Sequence, residues 1–592
     1  MNHIIVSLKS SILFSFITII VLLASCTKTY NVPQGARPNG KQVALFPDYT
    51  DVTIPPNIAP LNFMINGGGD EFVVDVEAEG KSRIVCGGDE DGIVQFDSTE
   101  WRKLLRENRG KTLQLTIYVN RDGQWTYYKP YNIYIANEEI DPYLSFRLIE
   151  PGYEMYRQVG LYQRNLTNFD QRPIYENNRS NDQEENHCVN CHNYQNYGGH
   201  TMLFHVRANM GGTIIAKDGK VEKIDFKCDS ILGNAVYPSW HPKKNFLVFS
   251  SNLTGQAFHT LDSEKIEVLD YGSDLIFYNA DTHEVSNILK TEGAMETFPT
   301  WAPDGKKIYY CQANIPVLAA LPDSMKTNFV LSNYRTIRYN VMSVTFDDKT
   351  MSFGEPQMEV NCEEMGKSAT VPRVSPDGKY LLFTLGDFGQ FHIWHKSSDQ
   401  YVKNLLTGEI YPLKEANSSD VDTYHSWSSN GRWIVFSSRR DDGSFTRPYI
   451  TYFDKQGKAR KAFMLPQENP QTNIMLFKSY NVPELTREPV AYSFREFKDA
   501  IYQQVPGTSV KYKELRTPEE IARQYAQNQR DRNTPVTRVP MSNANKPDTI
   551  TNSSNDADAI NSRAGGVDKG STQASQGRVD AKSAASPKST NN

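Results

Sequence analysis

Four runs in the second half of the chain are written in nearly the same letters. YPSWHPKKNFLVFSS starts at Tyr237, FPTWAPDGKKIYYCQ at Phe298, VPRVSPDGKYLLFTL at Val371 and YHSWSSNGRWIVFSS at Tyr424. Each opens on an aromatic or aliphatic residue, usually followed by Pro, passes Trp or Val into a turn, and ends in a hydrophobic strand. In two copies Pro-Asp-Gly supplies the turn, Pro presetting φ and Gly accepting a positive one. The copies start 53 to 73 residues apart, and such a period marks an array of like supersecondary units. A unit of a few strands cannot bury its faces alone. Closing the array into a ring does so and limits exposed edges, so the repeats predict a β-propeller.

The fold class expected for the whole chain is mainly β. Aromatic residues make up 11% of it, with 32 Tyr, which suits strands. In 42–150, Leu113, Leu115, Ile117 and Val119 alternate onto one face, Arg121-Asp122-Gly123 makes a turn, and the chain returns as a second strand. Ser98–Asn108 carries helical periodicity. This region reads as a small β-sandwich-like domain holding one short helix.

The run Pro-x-Trp-x-Pro-Asp-Gly-Lys-x-hydrophobic, seen at Pro299–Tyr310 and Pro372–Phe383, resembles the repeat of TolB-type propellers. At Pro238 the turn has become Pro242-Lys243-Lys244, and at His425 it is Ser429-Asn430-Gly431. The resemblance implies about six blades within 151–515, although four copies are visible. His200–Phe226 reads as a further blade, with Tyr153–Leu166 or the segment after Lys455 as a source for the sixth. It also implies an envelope protein or cell-wall partner.

The first 26 residues point to export. Lys9 precedes the apolar run Ser11–Leu23, which is short for a bilayer-spanning helix and has the layout of a secretory signal. Leu23-Ala24-Ser25-Cys26 resembles a bacterial lipobox, which implies lipid on Cys26 and an outer-membrane anchor. The absence of an acidic cluster after Cys26 favours the periplasmic side. Residues 27–41 read as a tether. Thr517, Pro518 and Glu520 form a helix start in a helix-and-linker segment, 516–540, and 541–592 contains no aromatic residue and reads as a disordered tail. The formal net charge of -5 argues against nucleic acid, which calls for a basic face.

One stretch carries chemistry. Cys188, Cys191 and His192 stand as Cys-x-x-Cys-His in a chain with only 7 Cys and 11 His. Random placement would give this pattern roughly 0.0015 times. It is the attachment pattern of a c-type haem: two thiols bond the vinyl edge and the imidazole binds iron. On one helical turn, positions i, i+3 and i+4 face the same way, so a helical turn is expected here. One covalent haem c is therefore predicted, in an attachment segment, 184–210, inserted into or beside the propeller. A structural zinc site completed by His187 or His200 and a redox Cys-x-x-Cys are the competing readings. For the second iron position, His200, Met202, His205 and Met210 are candidates, His205 ranking first and Met202 second. Arg207 is placed to pair a propionate. Cys86, Cys228, Cys311 and Cys362 stand singly.

No Gly-x-Ser-x-Gly elbow, phosphate-binding loop or His-Glu-x-x-His motif is present, so no catalytic residue is assigned and a hydrolase is not expected. The reading is a lipid-anchored envelope monohaem protein that passes electrons to, or senses them from, a redox partner, with the propeller as docking platform. A non-redox scaffold with a structural haem and a haem enzyme with an open iron position stay as alternatives.

Overall fold

The computed structural model describes residues 29–515, apart from 80, 81, 151–157, 180–186, 260, 263 and 505, together with residue 523. The signal segment, Cys26, the helix start at Thr517 and the tail 541–592 lie outside the described residues. None of the described helices is long and apolar enough to cross a membrane.

The N-terminal strands form one continuous ten-stranded sheet. Its central strand Thr112–Arg121 buries Leu113, Leu115, Ile117 and Val119, the alternation expected of a half-buried strand. Asp122 and Gly123 take positive φ at the turn into Gln124–Tyr127. The helix Ser98–Glu107 is capped by Asp97, whose carboxylate accepts the N–H groups of Thr99 and Glu100. It buries Trp101, Leu104 and Leu105, at i, i+3 and i+4. The sheet's apolar core runs on into Trp433, Val435, Phe146 and Tyr480 of the propeller. Polar contacts join the same seam: Ser429 donates to Asp141, and the Trp433 indole N–H to the Glu138 carbonyl.

Among the described residues, six further sheets form a ring, a six-bladed β-propeller. The first strands of the blades are Ser479–Thr486, His187–Tyr194, Asn234–Trp240, Ala294–Trp301, Ser368–Val374 and Asp422–Trp427. Each touches the next, and the last touches the first. The ring is closed by the C-terminal strand Ser479–Thr486, which pairs antiparallel with Tyr143–Ile149 and completes a blade with Val159–Asn165 and Gln171–Glu176. Both sources considered for the sixth blade thus contribute to one blade. Tyr143–Ile149 belongs to the propeller and not to the 42–150 domain, because its partner in the ladder comes from residues far along the chain.

After closure the chain runs outward. The helix Phe494–Gln503, held by a Ser493/Glu496 capping box, packs on Gln171–Glu176 and Lys220–Asp225. Thr508–Ser509 and Lys511–Tyr512 then add parallel pairs to the outer strands of the next two blades, covering edges that would otherwise be open.

Candidate functional site

Every first strand breaks register once, and a residue of positive φ sits at each break. These are Cys191 (φ 52°), Tyr237 (49°), Phe298 (53°), Val371 (50°), Tyr424 (48°) and Val482 (48°). The residue that follows is His192, Pro238, Pro299, Pro372, His425 or Pro483. Positive φ is unfavourable for side chains of this kind, and its sixfold recurrence makes the bulge a constructed feature that re-aims a side chain. All six bulge residues line one central cavity of about 950 Å³. The rings of Tyr237 and Phe298 meet across neighbouring blades, tilted by 31° with centroids 4.0 Å apart.

Two expectations are corrected here. The Cys-x-x-Cys-His motif lies on a β-strand, His187–Tyr194, and not on a helical turn. Nor is it an insertion, since it forms the first strand of a blade and Cys191-His192 occupies the place of Tyr237-Pro238 in the next one. A regular strand would send residues three apart to opposite faces. The bulge at Cys191 changes that, and Cys188, Cys191 and His192 all line the cavity. Both cysteines are free thiols, as are Cys86, Cys228, Cys311 and Cys362. The Asn190 amide donates to the Cys188 sulfur at 3.2 Å.

His192 is 4% exposed, and neither ring nitrogen has a well-formed hydrogen bond, although the Val482 backbone lies near enough to favour a proton slightly. Burial, and then the positive charge of Arg147, push its pKa down to about 3. The ring is therefore neutral at physiological pH, the form that ligates metal. A buried imidazole without partners is costly unless something fills that role.

The other predicted residues separate. His205 lines the cavity, opposite Asn190 in the ladder, with Nδ1 3.3 Å from the Thr213 hydroxyl. Burial, then Arg207, lowers its pKa to about 3. Arg207 stands opposite Cys188 and also lines the cavity. Met202, wholly buried, packs in the apolar core with Phe204 and Val206, on the strand face away from His205, and Met210 joins that core. His187 bonds the Tyr175 hydroxyl at 2.8 Å, and His200 is exposed beside Glu488. No group of three or more His, Cys, Asp or Glu side chains among the described residues is placed to hold a metal ion, so the zinc reading lacks its ligand set.

Several lining residues escaped the sequence reading. His425 holds the His192 position in the last blade; burial and then Arg373 bring its pKa to about 3, and its Nε2 lacks a well-formed hydrogen bond. Glu484 accepts from the Asn193 amide at 3.1 Å, and burial raises its pKa to about 7 against the pull of Arg373. Arg147, with its Nε unpartnered, and Arg439 also line the wall. The sequence signal for His425 was available, because Tyr424-His425 aligns with Cys191-His192 once the motif is counted as a repeat.

No family model matches the chain, and no curated protein matches it. Among solved structures, an oligogalacturonate lyase in complex with manganese is similar over 54% of this chain and 72% of that one, at 13% identity and a TM-score of 0.30. Prolyl oligopeptidase B from Galerina marginata is similar over 59% and 42%, at 9% identity and a TM-score of 0.32. The tricorn protease is similar over 58% and 33%, at 12% identity and a TM-score of 0.21. The chain spans less than half the length of the two peptidases. The six blades follow from the sheet order and from the contacts between their first strands.

Proposed function

We propose that this propeller carries one haem c, joined by thioether bonds to Cys188 and Cys191 with His192 as an iron ligand. In this reading it is a lipid-anchored protein of the cell envelope, facing the periplasm, that passes or senses electrons. What supports it is the convergence of two free thiols and a buried, neutral imidazole without a well-formed hydrogen bond on one cavity, whose volume lies within the range of about 300–1,000 Å³ usual for cofactor sites. The donor set fits the group: thiols for the vinyl edge, imidazole for iron.

Bound haem would supply one-electron exchange. The chain's own contribution is positional. Burial and Arg147 keep His192 unprotonated, the Cys191 bulge turns the motif toward the cavity, and His205 would be the second side chain to hold the iron. Arg207, opposite Cys188 on the cavity wall, would pair a carboxylate of the bound group. The propeller rim then serves a redox partner of the envelope.

The test is a haem stain on a denaturing gel, with oxidised and reduced spectra, for protein made in a host able to attach haem c. Retained stain that disappears in Cys188→Ala/Cys191→Ala is the expected result, and an unstained, colourless wild type refutes the reading. Fast binding of carbon monoxide by the reduced wild type would instead select the haem-enzyme alternative with an open iron position.

A further inference from the structure

The arginines of the last blade differ in one respect. Arg440 is fully engaged, by Asp422 and the Ala416 carbonyl at 2.7 Å each and by Ser438 at 2.9 Å. Arg447 donates to the carbonyls of Asn473, Leu476 and Lys478. Arg439, directly before Arg440 in the chain, is 2% exposed, yet its Nε and Nη1 have no acceptor among the described residues. It has no ion pair there either. The nearest acids are committed elsewhere: Asp420 to Lys396 and the Val421 N–H, and Asp442 to the N–H groups of Ser444 and Phe445. Its one strong contact is with Trp394, whose ring centroid lies 3.1 Å from the guanidinium carbon. Arg439 and Trp394 both line the central cavity.

A guanidinium taken out of water without a counter-charge is among the more costly arrangements a core can hold. Burial is strong enough to bring its pKa down to about 9, which still leaves it charged at neutral pH. Stacking on Trp394 fixes its plane but satisfies none of its N–H donors. The wall carries further positive charge in Arg147, Arg207 and Arg373. Of the acids there, Glu150 is paired to Lys478 at 2.7 Å, while Asp225 accepts from the Lys227 N–H and Glu484 is half neutralised by protonation near pH 7.

We propose that Arg439 anchors an anion site in the central cavity, taking a carboxylate or phosphate group of a ligand on its unpartnered N–H groups while Trp394 holds the guanidinium plane. The ligand group has two possible sources of the same chemistry, a propionate of a haem held at Cys188 and Cys191 or a free small anion. The site stands without the haem reading, since it is formed by Arg439 and its surroundings alone.

The experiment uses the full-length chain in two states. On Cys188→Ala/Cys191→Ala protein, which has no attachment site, inorganic phosphate and succinate are titrated at constant ionic strength, followed by calorimetry and thermal melting. Saturable binding weakened at least tenfold by Arg439→Gln, and kept in larger part by Arg439→Lys, supports the site with a free anion. On protein that stains for haem, a reduction potential moved by Arg439→Gln with the stain retained supports it with a propionate. In the first state, without added anion, Arg439→Gln is expected to melt no lower than its parent, because an uncompensated buried charge is removed. Absence of saturable binding in the first state together with an unmoved potential in the second overturns the proposal. So does a lower melting point of the ligand-free variant, which would make Arg439 structural. A wild type without haem stain that still binds phosphate through Arg439 sinks the haem reading and leaves this one intact.

Discussion

Replacing Glu484 by Gln tests the electrostatics of the cavity wall directly. Glu484 sits on the closing strand, accepts from Asn193 and the Tyr194 N–H, and has its pKa raised from 4.5 to about 7 by burial. In the unfolded chain the carboxyl ionises near 4.5; in the fold it holds its proton to about 7. The native state therefore binds more protons between these values, so wild-type stability is fullest below pH 4.5 and falls as pH rises to 7. At 1.36 kcal/mol per pKa unit the loss is about 3 kcal/mol. With an unfolding entropy of about 2.1 cal/mol/K per residue, a ring of this size unfolding as one unit has roughly 1 kcal/mol/K, so the effect is about 3 °C. Gln keeps the acceptor oxygen and cannot ionise. Glu484→Gln should thus melt close to wild type at pH 4.5 and about 3 °C above it at pH 7.5, read by differential scanning calorimetry across that range. A melting difference that stays constant with pH, or grows toward acid, would refute the assigned environment.

Other outcomes follow from the cavity's geometry and, for Cys26, from the lipobox-like tetrapeptide Leu23–Cys26. In haem-loaded protein, His205→Ala should convert a low-spin spectrum to high-spin and open the reduced iron to carbon monoxide. Met202→Ala should leave the spectrum alone and cost about 2–5 kcal/mol in denaturant unfolding, as the deletion of a buried side chain does. A spectrum that responds to His425→Ala and not to His205→Ala moves the second ligand to the last blade. Cys26→Ala should release the protein from membranes, tracked by fractionation and mature mass; normal partitioning and mass in that variant would end the lipoprotein reading.

Four blades were legible because their information is local. In Phe298–Gln312 or Val371–Leu385 the strand alternation, the Pro-Asp-Gly turn and the buried aromatic all lie within fifteen letters. The helix Ser98–Glu107 was legible for the same reason, save for its cap at Asp97. The Cys-x-x-Cys-His spacing was visible in the letters, and so was the alternation that sets His205 and Met202 on opposite faces of one strand.

What the tertiary structure decided is where those local pieces meet. Ser479–Thr486 has a weak strand pattern of its own, and it becomes the closing strand only because Tyr143–Ile149 offers a free edge across the ring. The same holds for Cys191-His192. Its letters match a helical haem motif, and its backbone obeys the propeller, because the strands on either side fix its register and impose the bulge shared with Tyr237, Phe298, Val371, Tyr424 and Val482. Sequence spacing singled out Cys188, Cys191 and His192. Ring closure brought them into one cavity with Arg147, Glu484, His425 and Arg439, whose pKa values are set mainly by loss of water, and that loss exists only once all six blades enclose the space.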